Sequence, residues 1–120
     1  MTVPEPAGGR LPPVPIEEIN VDQLADLREE GAVVLDVRSP EEYVEVRVPG
    51  VLLIPLPDLA DRYGEIPPAD TVYVICRSGA RSMRASEFLA TRGRSAVNVA
   101  GGTLAWIESG RPVDSGPGGG

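Results

Sequence analysis

The chain has 120 residues, enough for one domain that buries its own hydrophobic core without metal or disulfide support. It contains one cysteine and no histidine, which excludes an internal disulfide, a zinc site of the usual Cys/His kind, and catalysis by Cys-His or Ser-His-Asp arrangements. The net charge of −7 argues against a nucleic-acid-binding protein, and no apolar stretch is long enough to span a bilayer.

Both ends of the chain are predicted to be flexible. Residues 1–15 are rich in proline and glycine and show no hydrophobic periodicity, so we expect a flexible leader there. Residues 114–120 are expected to form a flexible tail. The ordered domain is therefore predicted over residues 16–113.

The first half of this domain is predicted to alternate short helices with short buried strands. Asn20 and Ser39 each stand where a side chain can cap a helix, and each has Gln or Glu three residues later to complete a capping box. Apolar runs bounded by polar residues indicate strands. In chain order the pattern predicts helix, strand, helix, strand and helix over Val21–Glu30, Ala32–Val37, Pro40–Val44, Val51–Ile54 and Pro57–Tyr63.

The second half repeats this alternation. A strand over Thr71–Ile75, a helix over Arg81–Arg92, a strand over Ala96–Val99 and a helix that carries Trp106 are predicted. Strands alternating with helices indicate an α/β fold, with a small central parallel sheet and helices on both faces.

The segment after the Thr71–Ile75 strand carries the strongest functional signal. It begins with Cys76 and continues as a short loop with one glycine and two arginines before a helix starts. Free backbone N–H groups at a helix N-terminus, the helix dipole and nearby guanidinium groups all lower the pKa of a thiol. A free cysteine at the end of a strand is often only a core residue, but this loop favours a reactive thiolate. Cys76 is therefore predicted to be a catalytic nucleophile.

Charge is distributed unevenly around this cysteine. Residues 1–70 carry a net charge of −10, whereas residues 71–120 carry +3, and five arginines fall between positions 77 and 94. A cationic patch beside a single thiol is suited to attract a small anion. Arg92 and Arg94 are expected only to solvate one face of their helix.

Three further charged residues have two interpretations each. Arg81 can contact the substrate or the thiolate, or can pair with Asp36 as part of the scaffold. Ligands of open α/β sheets bind beyond the carboxyl ends of the strands, where Asp36, Arg38 and Cys76 are expected on one rim. Asp36 and Arg38 can form a structural ion pair there or can contact the ligand.

Five motifs occur in the order and spacing of the single-domain rhodaneses, a family of sulfurtransferases, and the chain resembles this family over residues 16–113. The motifs are Val34–Arg38, Pro40–Tyr43, Pro49–Val51, Cys76–Ser82, and Gly101-Gly102 followed by Trp106. One departure lies before Pro49, where many family members have Gly-His-Ile and this chain has Val46-Arg47-Val48.

The resemblance implies that the domain transfers a sulfane sulfur through a persulfide on Cys76. The donor would be a small anion such as thiosulfate, and the acceptor cyanide or a thiol, which a partner protein can supply. The family assigns the loop amides to the sulfur, so the predicted substrate-binding residues are Arg77, Ser78, Gly79, Ala80 and Arg81. No cofactor, metal, nucleic acid or membrane is implied. A single thiol that must stay reduced fits a cytoplasmic protein.

Two other functions are compatible with the sequence. Phosphatases and arsenate reductases of related fold place five residues between the cysteine and an arginine, whereas four separate Cys76 from Arg81. A shorter loop closes more comfortably around a sulfur than around a phosphate. The remaining alternative is a non-enzymatic sulfur carrier or protein-interaction module of the same fold.

Overall fold

A parallel sheet of five strands forms the centre of the chain in a computed structural model that describes residues 15–117. Across the sheet the strands lie in the order β1-β5-β4-β2-β3. Strand β4 is therefore central, and the residue that follows it emerges at the middle of the sheet's carboxyl edge. From β1 to β5 the strands span Glu17–Ile19, Val33–Asp36, Leu52–Leu53, Val72–Ile75 and Ala96–Val99.

Five α-helices connect these strands, and the two predicted capping boxes begin the first two of them. The Asn20 side chain accepts a hydrogen bond from Gln23 N–H, and the Ser39 side chain accepts one from Glu42 N–H. Two short 3₁₀ turns flank the third helix. From α1 to α5 the helices span Val21–Glu29, Pro40–Glu45, Leu59–Arg62, Ala80–Thr91 and Gly102–Glu108.

The alternating side chains of the strands supply two hydrophobic clusters, one on each face of the sheet. On one face, strand residues such as Val72 and Val74 pack with Leu59 of α3 and Leu89 of α4. On the other face, a second cluster is built mainly around α1 and α5, and includes Leu24, Val34, Ile75, Val99 and Trp106. This arrangement confirms the predicted α/β fold with a parallel sheet and helices on both faces.

The strand β1 was not predicted from the sequence. It contains Glu17 and Glu18, is largely exposed, and gains its strand conformation by pairing with β5 at the edge of the sheet. A three-residue strand with two glutamates lacks the apolar run by which the other strands were predicted. Its existence depends on the exposed edge of β5, which the local sequence does not reveal.

The first residues of the segment predicted to be a flexible tail contact the rest of the domain. Asp114 forms an antiparallel bridge with Arg47, and Gly116 N–H donates to the carbonyl of Val44 at 2.7 Å. These contacts attach residues 114–116 to the end of α2. The predicted leader up to residue 14 and the last residues, 118–120, lie outside the described residues. Within residues 15–117, no helix combines the length and the hydropathy needed to cross a membrane.

Candidate active site

Cys76 lies directly after the central strand β4, and its position sets the direction of its side chain. Side chains alternate along a strand, so Cys76 faces the same side as Val72 and Val74, which is the side covered by α4. The residue is 1% exposed. Its sulfur therefore lies between the end of β4 and the N-terminus of α4.

Two hydrogen-bond donors from the start of α4 contact this sulfur. Gly79 N–H donates to Sγ at 3.1 Å, and the hydroxyl of Ser82 lies 3.3 Å from Sγ. Gly79 is the N-cap of α4 and has a φ of 119°, a left-handed conformation in which glycine is favoured. The first turn of the helix consequently offers donors to Cys76 that no side-chain cap occupies.

The environment of Cys76 stabilises its thiolate. Burial raises the pKa of the thiol, but hydrogen bonds from the Ser82 hydroxyl and from the backbone N–H groups of Ser82, Gly79 and Ser78 lower it. The net result is a pKa below the ordinary value for cysteine. Hydrogen bonds from the loop and helix, and not the neighbouring arginines, are the main cause of this decrease. The sulfur is thus buried among donors that face it.

The N-terminus of α5 explains why the loop amides turn towards the sulfur. Thr103 donates to the carbonyl of Cys76 from its N–H at 2.8 Å and from its hydroxyl at 3.0 Å, and Leu104 N–H donates to the carbonyl of Arg77 at 3.1 Å. In a trans peptide group the carbonyl and the N–H point in opposite directions. When these two carbonyls point at α5, the N–H groups of Arg77 and Ser78 point to the opposite side.

The Gly101-Gly102 motif permits this close approach of α5 to the loop. A Cβ atom on Gly102 would lie 2.5 Å from the carbonyl oxygen of Cys76 and 2.6 Å from that of Arg77. Gly102 also has a positive φ of 58°. Only glycine fits this position without moving the backbone of the cysteine loop.

The two arginines of the loop differ in their partners. Arg81 forms a two-point ion pair with Glu42 of α2, at 2.7 and 2.9 Å, and does not pair with Asp36 as one interpretation of the sequence suggested. Hydrogen bonds from Arg81 lower the pKa of Glu42 to about 2. The side chain of Arg77 is exposed and, within residues 15–117, is in none of the ion pairs. Arg77 therefore has a guanidinium group available for an anion.

Asp36 and Arg38 form a buried ion pair at the same edge of the sheet. Arg38 Nη2 lies 2.7 Å from Asp36 Oδ2, and the two side chains are 3% and 1% exposed. Arg38 also donates to the carbonyls of Glu42 and Val46, at 3.3 and 2.8 Å, and so ties the middle and the C-cap of α2 to the sheet. These contacts favour the structural interpretation of the pair, because they use the donors of the guanidinium group within the protein.

Arg47 stands where many rhodaneses have histidine, and it serves the packing of α2. Its side chain is 2% exposed, stacks on the ring of Tyr43 at 4.2 Å, and donates to the carbonyls of Tyr43 and Gly116. None of these contacts involves Cys76. The residue at this departure from the usual motif therefore helps to attach residues 114–116 and makes none of these contacts with the donors around the sulfur.

A small pocket of about 140 Å³ lies beside the loop, between α2 and α5. Its walls combine Arg77 with the carboxylates of Glu42 and Glu45 and the partly exposed side chains of Leu104 and Ile107. Two larger clefts, of about 320 and 310 Å³, lie at the opposite edge of the sheet, where Thr71 and the other strand starts are found. The larger clefts are remote from Cys76, so volume alone does not locate the site.

The structure brings together some residues that the sequence prediction named and others that it missed. Gly79 contacts the sulfur directly, Ser78 and Arg77 form the loop beside it, and Ala80 begins the helix. Ser82 was quoted within the cysteine motif but was given no role, although a serine after such a loop offers a hydroxyl at the right place. Thr103, Glu42 and Asn98 were also missed, because their contacts depend on the packing of distant segments.

Comparison with known proteins gives a consistent result. A protein named Sulfurtransferase from Allochromatium vinosum is 37% identical over 92 residues, which cover 76% of this chain and 84% of that protein. Thiosulfate sulfurtransferase PspE of Escherichia coli is 40% identical over 70 residues, 57% of this chain and 67% of that protein. The crystal structure of a rhodanese-related protein from Thermoplasma volcanium superposes with a TM-score of 0.76 at 35% identity, covering 82% of this chain and 97% of that one.

The family follows from the sequence match as well as from the fold. Residues 20–109 match the profile described as Rhodanese-like domain, a range that contains β2 to β5, all five helices and the cysteine loop. This range contains all five motifs of the sequence, four of the five strands of the parallel sheet, and Cys76. The chain belongs to the rhodanese-like domain family.

Proposed function

We propose that this chain is a sulfurtransferase that moves a sulfane sulfur from a small anionic donor such as thiosulfate to a thiophilic acceptor through a persulfide on Cys76. The observation that carries the proposal is the contact of the Cys76 sulfur with Gly79 N–H and the Ser82 hydroxyl at the start of α4. These donors favour the thiolate over the thiol, and the thiolate is the nucleophilic form.

The reaction consists of two displacements. In the first, the Cys76 thiolate attacks the outer sulfur of thiosulfate; a new S–S bond forms, and the bond between the two thiosulfate sulfurs breaks with its electron pair leaving on sulfite. In the second, cyanide or a thiolate bonds to the outer sulfur of the persulfide, and the electron pair of the S–S bond returns to Cys76. Neither step needs an oxidant or a general base once the thiol is ionised.

Local electrostatics support an anionic donor. Arg77 is exposed next to the cysteine and has no carboxylate partner in the described part of the chain. Its guanidinium group would bind the sulfonate end of thiosulfate, while the amides of Ser78 and Gly79 hold the anionic sulfur of both the thiolate and the persulfide. Because Arg81 pairs with Glu42, its proposed role is to position the loop.

The proposal includes the cellular compartment and the sulfur acceptor. A lone thiol works in this cycle only while it is reduced, which suits the cytoplasm. The acceptor can be a small thiol or the thiol of a partner protein, since the loop beside Arg77 is exposed. In the second case the domain would act as a sulfur carrier.

The decisive test is intact-mass measurement of the full chain after incubation with thiosulfate. We expect one added sulfur atom on the wild-type protein, its loss on addition of cyanide, and formation of thiocyanate. The matched control is Cys76→Ser, which keeps the size of the side chain and should lose both the added mass and all transfer. Full transfer activity in Cys76→Ser would exclude the persulfide mechanism.

Assays on the same protein preparation distinguish a sulfurtransferase from a phosphatase and from a sulfur carrier. Hydrolysis of an aryl phosphate without any sulfur gain would favour a phosphatase and overturn the proposal. A persulfide that forms but is not discharged by cyanide or small thiols would indicate a carrier that needs a partner protein. We expect thiocyanate formation and no phosphate release, because the four-residue spacing between Cys76 and Arg81 leaves less room for a tetrahedral oxyanion.

A further inference from the structure

Asn98 is a buried amide in the middle of an otherwise apolar strand. It lies on β5 between Val97 and Val99 and is 1% exposed. Its Oδ1 atom is buried and has no hydrogen-bond partner within the described part of the chain. An unpaired buried acceptor destabilises a protein, so an apolar side chain of the same size would suit the packing better. The two N–H groups of the amide must therefore account for its presence.

Strand register directs the Asn98 side chain towards the cysteine loop. Asn98 is aligned with Val74 of β4 on one side and with Glu18 of β1 on the other. Aligned residues of neighbouring strands project to the same face, so all three point to the side covered by α4. Cys76 lies two residues beyond Val74 and faces that side as well.

Both donors of the Asn98 amide are used, and they link a surface carboxylate to the active-site loop. Nδ2 donates to Glu18 Oε2 at 2.8 Å and to the carbonyl of Gly79 at 3.3 Å. Gly79 is the residue whose own N–H donates to the sulfur of Cys76 at 3.1 Å. The chain of contacts thus runs from the edge strand β1 to the sulfur through the backbone of one residue, Gly79, whose carbonyl accepts from Asn98 and whose N–H donates to the sulfur.

Gly79 needs such a support because its conformation is weakly determined by its own side chain. It has no Cβ, its φ is 119°, and no side chain caps α4 at this point. Its carbonyl accepts from Met83 N–H at 3.2 Å, in the first hydrogen bond of α4, and from the Ser82 hydroxyl, which is shared with the sulfur. Asn98 adds a donor from β5, outside α4, which ties this carbonyl to the sheet even when the Ser82 hydroxyl turns to the sulfur.

We propose that Asn98, oriented by Glu18, is a positioning residue for the reaction: by holding the Gly79 carbonyl it keeps the Gly79 backbone in the conformation in which the Gly79 N–H faces the Cys76 sulfur. The prediction for the transfer rate rests on the proposed function, but the positioning itself does not. This positioning makes the reactivity of the thiol depend on the carboxylate of Glu18 in the edge strand β1, which does not contact the sulfur in the structure.

The test is the pH dependence of alkylation of Cys76 by iodoacetamide, followed by intact mass on the full chain. Asn98→Leu keeps the approximate size of the side chain and removes both donors. We expect the apparent thiol pKa to rise by roughly one unit, the size expected when one hydrogen bond to an anion is lost, with thiocyanate formation at neutral pH reduced roughly tenfold.

Glu18 provides a matched pair of variants on an exposed residue, which keeps the test valid if Asn98→Leu does not fold. Glu18→Gln keeps an acceptor for the amide and removes the charge, whereas Glu18→Ala removes both. Loss of a negative charge alone would lower the thiol pKa, so a rise in Glu18→Ala that is absent in Glu18→Gln would support positioning. An unchanged or lowered pKa in Glu18→Ala, or an unchanged pKa in folded Asn98→Leu, would overturn the inference.

These outcomes are independent of sulfur transfer. Alkylation requires only the thiolate, so the wild-type pKa and its shifts can be measured even if thiosulfate gives no persulfide. A failure of the proposed function would appear as an absent mass gain in the wild-type protein. A failure of the positioning inference would appear as a thiol pKa that does not rise in Glu18→Ala or in folded Asn98→Leu.

Discussion

The starts of α4 and α5 have the same local construction but opposite uses. Each helix follows a central strand, and each begins at a glycine in the left-handed conformation, with φ of 119° at Gly79 and 79° at Gly101. Neither N-cap has a side-chain hydrogen bond, so both helices begin with free backbone donors. The donors of α5 bind the carbonyls of Cys76 and Arg77, while those of α4 face the sulfur of Cys76.

The difference shows how the start of α5 can orient the loop whose cysteine faces the start of α4. By binding two carbonyls of the loop, α5 turns the amides of that loop towards the side of the thiol. The start of α4 leaves its donors to the sulfur, and side chains hold it from outside: Arg81 pairs with Glu42, and the carbonyl of Gly79 accepts from Asn98. Pre-oriented donors of this kind stabilise a thiolate without rearrangement during the reaction.

Alanine substitution at Gly102, the first residue of α5, and at Gly79, the N-cap of α4, should distinguish the two helix starts. The Gly102 variant has the largest expected effect. In Gly102→Ala the new Cβ would lie 2.5 Å from the carbonyl of Cys76 at a positive φ, so we expect a loss of about 3 kcal/mol in the free energy of unfolding. In Gly79→Ala the nearest atom would be 3.8 Å away, so only conformational strain remains, about 1–2 kcal/mol. Urea unfolding measures both losses.

In Gly79→Ala the loss of thiol reactivity should exceed what the loss of stability explains. Gly79→Ala moves the amide that contacts the sulfur, so its alkylation rate at neutral pH should fall by more than its modest instability explains. Equal stability losses in the two variants would contradict the view that the start of α5 is tightly packed and that of α4 is open. An unchanged alkylation rate in Gly79→Ala would remove the Gly79 amide from the site.

Removal of the Ser82 hydroxyl tests one of the α4 donors to the sulfur separately from the Gly79 amide. We expect Ser82→Ala to raise the pKa of the Cys76 thiol by roughly one unit, because a hydrogen bond to the thiolate is lost. Ser86→Ala is the matched control: Ser86 is also fully buried one turn later on α4, and its hydroxyl bonds only the carbonyl of Ser82. The pH profile of alkylation should therefore shift for Ser82→Ala and not for Ser86→Ala.

The sequence was sufficient to predict most of the fold because its signals are local. Asn20 and Ser39 begin their helices with capping boxes, and the apolar runs at residues 33–36, 72–75 and 96–99 form the central strands. The position of Cys76 after β4 also follows from local pattern, since a strand and a helical segment flank the cysteine. Strand β1 was missed because its conformation is imposed by pairing with β5.

The details of the site depended on contacts between distant segments, which no local pattern contains. Arg81 could have paired with Asp36 on the sequence alone, but Asp36 is engaged by Arg38, and Glu42 faces Arg81 from α2. Asn98 reaches the loop only because β5 lies next to β4 in a particular register. The sequence thus predicted that Cys76 follows a strand and precedes a helix, whereas the packing of α2, α5 and β5 determines what surrounds it.

The ion pair between Glu42 and Arg81 gives the smallest expected effect and a defined pH dependence. Arg81 lowers the pKa of Glu42 from its ordinary value of 4.5 to about 2. A carboxylate whose pKa is lowered in the folded state stabilises the fold above its unfolded pKa, and that stabilisation is lost as the pH falls through the folded pKa. Both side chains are partly exposed, so we expect Glu42→Gln to cost about 1 kcal/mol at neutral pH.

Glutamine preserves the capping box with Ser39, which isolates the charge of Glu42 from its role at the start of α2. The difference in unfolding free energy between the wild type and Glu42→Gln should therefore be constant above about pH 5, decrease below that pH, and vanish as the pH falls through about 2. A pH-independent difference would mean that the side chain acts by packing alone. Because the donors to the sulfur come from the backbone and from Ser82, Glu42→Gln should change the thiol pKa less than Ser82→Ala does; a larger change would mean that α4 depends on α2, more than on α5, for its reactive conformation.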